Sequence, residues 1–261
     1  DYISDDDTGQ SDISLYGNVV DMIATGVTTF GGADINLQAN ALSMKRAVLE
    51  AMSPRGGEGG DINVRANDLI MNSAGFFTIT LGGPGGDINV DVSVMNAKSS
   101  QIEAMSYQMA NVRGKYQTGD INITATDSFI NDLVLLAVTS LTSGGAGDLN
   151  INAGTFVGDG KDWTASTEIW VMAYKGKTGE ININADTFDA KQVRMINVAT
   201  YDQAGKLTEL ESSSYGDVTI NAQDINLEKF VLSTGTQRVK EKTTIGDVKI
   251  NAENEINIGQ I

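Results

Sequence analysis

Apolar and polar residues alternate strictly in short stretches that return along the whole chain. Ile121, Ile123 and Ala125 are separated by Asn122 and Thr124, Ile181, Ile183 and Ala185 by Asn182 and Asn184, and Val248, Ile250 and Ala252 by Lys249 and Asn251. Period two predicts a strand with one buried face. A few residues later comes a second apolar pair, such as Leu42 with Met44, Leu69 with Met71, Ile225 with Leu227 or Ile256 with Ile258. This is read as a second strand after a corner. A third apolar run follows in most units, at 76–81, 133–138, 169–173 and 193–198, before a Gly-rich or polar loop. Three strands then close one coil. The stretch 41–52 contains good helix formers, Leu42, Met44, Lys45, Arg46, Leu49 and Glu50, and competes as a helix. Strand is preferred because its counterparts in other units are β-branched or aromatic, and because 29 glycines against 2 prolines suit many tight corners.

The alternation is anchored by a phrase of the type Gly-Asp-Ile-Asn-Ile, whose acidic position falls at Asp12, Asp34, Asp61, Asp87, Asp120, Asp148, Glu180, Asp217 and Asp247. Nine phrases at intervals of roughly 30 residues are the signature of a repeat architecture. The expected fold is all-β: a right-handed parallel β-helix (β-solenoid) of about nine coils, three strands per coil. Equivalent strands pair in parallel about 4.8 Å apart, and nine rungs span roughly 40 Å. Right-handedness is the expectation for parallel crossovers. Residues 12–261 are read as one solenoid domain, preceded by an acidic segment, 1–11. The glycine before most acidic positions is expected at a positive-φ or sterically tight corner. Long intervals place 202–215 and 237–243 in loops outside the solenoid, where function concentrates.

Charge and composition narrow the function. The 34 acidic residues against 18 Lys and Arg give a net charge of -16, which repels a phosphate backbone and argues against nucleic-acid binding. The absence of cysteine removes disulfides and thiolate chemistry, and the absence of histidine removes the commonest general base. No stretch approaches 18 consecutive apolar residues, so no membrane span is expected.

The phrase with its continuation, Gly119 to Ala125 (Gly-Asp-Ile-Asn-Ile-Thr-Ala) and Gly179 to Ala185 (Gly-Glu-Ile-Asn-Ile-Asn-Ala), resembles the repeats of filamentous-haemagglutinin-type large exoproteins. The resemblance covers about Asp12 to Ile258. It implies a right-handed parallel β-helix, secretion to a bacterial cell surface or extracellular space, an extended rod, and a part in adhesion or matrix building. It transfers no active site, and the family's N-terminal secretion domain is not recognisable here.

Several motifs carry candidate chemistry. Gly56 to Asp61 and Gly82 to Asp87 open like the calcium-binding nonapeptide, but Asn63 and Asn89 occupy its apolar position, so corner glycines are the simpler reading. Asp5, Asp6, Asp7 and Asp12 surround Gly9 with hard oxygen ligands, and Asp5, Asp7 and Asp12 are the candidate calcium ligands; otherwise no cofactor is expected. The aligned residues Asp34, Asp61, Asp87, Asp120, Asp148, Glu180, Asp217 and Asp247 form a surface ladder of like charges. Corner backbone amides satisfying them is the preferred reading, and bridging cations the alternative. Neighbouring carboxylates also offer the separation a retaining glycosidase needs, but every adjacent pair does so and none is singled out, so an enzyme is not expected. Trp163, Trp170 and Tyr174 are candidates for a glycan or partner surface, with Tyr107, Tyr116, Tyr201 and Tyr215 nearby.

No capping unit is evident, and the ninth coil stops after its second strand, which leaves strand edges open to pairing. Copies stacked coil on coil would form an unclosed, filament-generating contact. Tyr2, Ile3, Ile256, Ile258 and Ile261 are the subunit-joining candidates, with 1–10 able to complete a neighbour's missing strand. The expectation is a secreted structural homopolymer of the surface-rod type. The alternatives are a monomeric glycan-binding adhesin module and, behind it, a polysaccharide-cleaving β-helix enzyme.

Overall fold

A computed structural model of the chain describes residues 2–4, 11–54, 56–107, 115–142, 144–160, 166–174, 176–200, 215–236 and 246–259. Numbered in chain order, the even strands are long: β2 (Ile13–Ile23), β4 (Ile35–Lys45), β6 (Ile62–Asn72), β8 (Ile88–Lys98), β10 (Ile121–Asp132), β12 (Leu149–Asp159), β14 (Ile181–Ala190), β16 (Val218–Leu227) and β18 (Val248–Ile258). The odd strands are shorter: β1 (Tyr2–Ser4), β3 (Gly26–Phe30), β5 (Val48–Ser53), β7 (Gly75–Leu81), β9 (Gln101–Tyr107), β11 (Leu135–Leu141), β13 (Thr167–Tyr174), β15 (Val193–Thr200) and β17 (Phe230–Thr236). Odd strands form one parallel nine-stranded sheet in sequence order and even strands form the other. The chain therefore alternates between two stacked sheets and climbs one rung per pair, as a parallel β-solenoid does. Neither sheet closes on itself. Among the described residues there is no helix; 41–52, the competing helix, is divided between β4 and β5.

Each even strand begins one residue after an acidic phrase position, so the nine phrases are nine rungs. The corner expected after the phrase is present, but it does not interrupt the strand. In β4, Ile35, Leu37 and Ala39 point inward, then Leu42 and Met44 do so, while Asn40 and Ala41 are both left out of the core. Two successive outward residues reverse the inward parity, which bends the strand while the inter-rung ladder continues across the bend. In β10 one further residue is accommodated there, and its register with β8 and β12 slips between Ala125 and Ser128. The phrase and the second apolar pair are thus two legs of one bent strand, and the third run is the odd strand.

Register makes equivalent side chains pile up. Ile35, Ile62, Ile88, Ile121, Leu149, Ile181 and Val218 occupy one inward column, and all are fully buried. After the bend, Phe129, Phe156 and Phe188 fill adjacent rungs with ring centroids 5.6 and 5.0 Å apart, and Phe230 of β17 meets Phe188 at 6.3 Å. No single rung could bury these groups alone.

The phrase glycines serve close approach. Among the described residues the positive-φ glycines are Gly31, Gly32, Gly56, Gly82, Gly145 and Gly235, none of which precedes an acidic phrase position. A Cβ on Gly179 would instead lie 1.9 Å from the Gly147 carbonyl oxygen, and one on Gly86 would lie 2.1 Å from that of Gly60. Consecutive coils touch backbone to backbone here, which only a residue without Cβ allows. Gly56 and Gly82 turn the corners within the two doubled-glycine stretches, in line with the corner reading of those motifs.

Candidate functional site

The acidic column sits where each loop enters an even strand. The Oδ1 atoms of Asp12, Asp34, Asp61, Asp87, Asp120, Asp148 and Asp217 each accept the backbone N–H of the acidic residue one rung further on, at 2.7 to 3.0 Å. These carboxylates therefore bond one coil to the next, in the role expected of corner amides. At Glu180 the extra methylene changes the partner, and its Oε2 accepts from Asn182 Nδ2 at 3.2 Å. Asp61 and Asp120 are half-buried, and their carboxyls titrate above the ordinary range, chiefly because burial disfavours the charge and further because the neighbouring ladder carboxylates repel it. Asp217 is partly exposed and shifts down, through the Asp247 N–H first and Lys249 second. The Lys249 ammonium spans Asp217 and Asp247 at 3.3 and 3.4 Å.

Beside the acidic column runs a column of amides. Asn63, Asn89, Asn122, Asn150 and Asn182 each donate Nδ2 to the Oδ1 of the asparagine one rung earlier, beginning at Asn36. Two residues along, a second column repeats the pattern at the other end of the solenoid, Asn184 to Asn152, Asn221 to Asn184 and Asn251 to Asn221, at 3.0, 2.9 and 2.8 Å.

The second column borders an open trough of about 640 Å³ that runs over β10, β12, β14, β16 and β18. It lies at the bend of these strands. Thr124, Asn152, Asn184, Asn221 and Asn251 line it before the bend, and Thr126, Gly154, Asp186, Gln223 and Glu253 line it after the bend. Ala153, Ala185, Ala222 and Ala252 lie between the two rows, and Ala185, Ala222 and Ala252 are less exposed than the residues on either side. Gln223 Nε2 donates to Asp186 Oδ1 at 3.1 Å across one rung. A smaller trough of about 370 Å³ on the early rungs is lined by charged side chains as well, with Arg65 and Asp91 paired at 3.7 Å. Sequence reasoning missed the large trough. Its signal was the pair Asn-Ala, which closes four successive phrases at Asn152, Asn184, Asn221 and Asn251.

The other candidates fall as follows. Asp5 and Asp7 lie outside the described residues, Asp12 is engaged with the Asp34 N–H, and among the described residues no three His, Cys, Asp or Glu side chains gather as metal ligands. Trp163 and Tyr201 lie outside the described residues, as do 202–214 and 237–245. Trp170 faces outward from the odd sheet, since Ile169 and Val171 are its fully buried neighbours; Tyr174 closes the same strand. Tyr215 is buried, so it belongs to no exposed strip. Tyr2 and Ile3 lie in β1, which pairs with Gly26–Thr28 of its own chain. Residues 2–4 thus add an intramolecular rung to the odd sheet. Ile256 and Ile258 are 44% and 64% exposed on β18, and Ile261 is outside the described residues. No helix of the described residues is long and apolar enough to cross a membrane.

Neither a protein-family model, a curated protein nor a solved structure matches the chain.

Proposed function

We propose that the protein is a non-enzymatic structural rod of a bacterial surface or extracellular filament, extended by stacking the last coil of one copy on the first coil of the next. The observation that carries this reading is the apolar surface left open on β18, the outer strand of the even sheet. The outermost strand at the first end is β1, in the odd sheet, and at the other end β18, in the even sheet. A second copy placed beyond β18 continues the alternation, with its β1 beside β17 and its β2 beside β18. Continuing the register aligns Val248 with Ile13, Ile250 with Leu15, Ile256 with Val20 and Ile258 with Met22 of the second copy.

The chemistry of the edge supports the same partner. Val248 and Ile256 are 46% and 44% exposed on β18, whereas Val218 and Ile225, their counterparts one rung earlier, are fully buried. Another rung would bury them at about 25 cal/mol per Å² of apolar surface. Asp247 would accept the Asp12 N–H of the second copy and extend the acidic column. Head-to-tail contact of this kind does not close, so it generates a filament. The secreted, surface location rests on the resemblance of the phrases to the exoprotein repeats.

Sedimentation over a hundredfold concentration range tests the proposal. Mass should grow with concentration for the native chain, and Ile256→Lys with Ile258→Lys should hold it at one copy while the monomer's circular dichroism is retained. A native chain that stays monomeric throughout, or a double variant that assembles unchanged, overturns it.

A further inference from the structure

We infer that the 640 Å³ trough binds a linear, uncharged polyhydroxylated polymer, a neutral polysaccharide laid along the solenoid axis. Five rungs about 4.8 Å apart give it a length of about 19 Å from first to last, enough for several sugar units in line. From β12 to β18 each rung presents the same Asn-Ala pair, so the trough is a periodic surface and suits a ligand that is itself a chain of repeating units. The early trough lacks this uniformity, because Arg65 and Asp91 interrupt it.

The hydrogen-bonding capacity also fits. Asn184 and Asn221 each spend one N–H and one acceptor site on the amide column. Each keeps a second N–H and a further lone pair. Hydroxyls, which donate and accept together, match such a row of amides. On the opposite side, Asp186, Gln223 and Glu253 add acceptors and a donor, while the small alanines between, packed against the core, leave a shallow floor on which a sugar ring can lie. No Arg or Lys lines the trough and two carboxylates do, so a polyanion is repelled. A peptide strand is poorly served as well. Strand addition draws on free main-chain groups at a sheet edge, and the trough lies on a sheet face whose backbone is paired on both sides over β12, β14 and β16. This inference is independent of end-to-end stacking.

The test titrates the protein with hexasaccharides of β-1,4-glucose, β-1,3-glucose and β-1,4-N-acetylglucosamine, with a heparin hexasaccharide and a Gly-Ser decapeptide as rival classes. The side-chain amide resonances of Asn152, Asn184, Asn221 and Asn251 are followed by NMR. At least one neutral hexasaccharide should shift these resonances saturably. Asp186→Ala with Gln223→Ala, both exposed positions, should weaken that binding at least fivefold, while Arg65→Ala in the early trough leaves it unchanged. The native chain's amide shifts remain informative even if the double variant folds poorly. The inference is overturned if no neutral glycan moves the amides, if heparin or the peptide binds more tightly, or if the double variant folds and binds as before.

Discussion

Asp120 separates two roles that the acidic column combines, holding a backbone amide and carrying a charge. Its Oδ1 accepts the Asp148 N–H at 2.7 Å, and its own N–H reaches Asp87 Oδ1 at 2.8 Å. Burial and the charges of Asp87 and Asp148 raise its carboxyl above the ordinary range, and the Asp148 N–H only partly offsets this. The charge is therefore a net cost to the fold, while the acceptor is a gain. Asp120→Ala removes the acceptor and strands the Asp148 N–H, a loss of about 1.5–3 kcal/mol. For a chain of this size each kcal/mol moves Tm by about 2–4 °C, so the expected fall is about 3–12 °C. Asp120→Asn keeps an acceptor and removes the charge, and at pH 7 its Tm should equal or exceed that of the native chain. The pH sign follows from linkage. A folded pKa raised above the unfolded value contributes stability fully present below the unfolded pKa and lost as pH rises through the folded value. The advantage of the Asn variant should thus be absent below the ordinary carboxylate range and grow above it. Thermal unfolding at pH 3, 5 and 7 reads both effects. Equal destabilisation by Asn and Ala at pH 7, or an advantage of Asn confined to low pH, would refute the reasoning.

Three further substitutions probe the stack. Phe156→Ala removes the ring between Phe129 and Phe188 and should lower stability by about 3–5 kcal/mol in urea unfolding; a loss under 1 kcal/mol would mean that the aromatic column is not a packing element. Gly179→Ala sets a methyl group 1.9 Å from the Gly147 carbonyl oxygen, so the rungs must part, at a cost of about 1–3 kcal/mol; an unchanged urea midpoint would contradict the close backbone approach. Asn131 is fully buried and neither side-chain polar atom has a hydrogen-bond partner. Asn131→Ala should raise stability by about 1–2 kcal/mol, as removal of an unsatisfied polar group does, and a lower Tm would show that the amide is engaged.

Much of the solenoid was legible because its determinants are local and repeated. Strict alternation at Ile121, Ile123 and Ala125 identifies a strand wherever it occurs, and nine acidic positions count the rungs. The bend was legible only as a change of parity between Ala39 and Leu42. Whether a strand breaks or bends there depends on pairing with the next rung, which a single stretch of sequence does not contain. The glycines were read correctly for one of two reasons, since close approach to a neighbouring coil and a positive φ leave the same residue behind. The trough was missed because Asn152, Asn184, Asn221 and Asn251 lie 30 to 37 residues apart in the chain, and become neighbours only through register. Aromatic residues drew attention to sugars, whereas the periodic concave surface is built of asparagine and alanine.

Electron microscopy of the purified 261-residue chain over a range of concentrations tests the central claim most directly. Nine rungs per copy at about 4.8 Å predict continuous fibres with an axial repeat near 43 Å, absent from the Ile256→Lys, Ile258→Lys variant. Isolated rods of one solenoid length at every concentration would contradict the account.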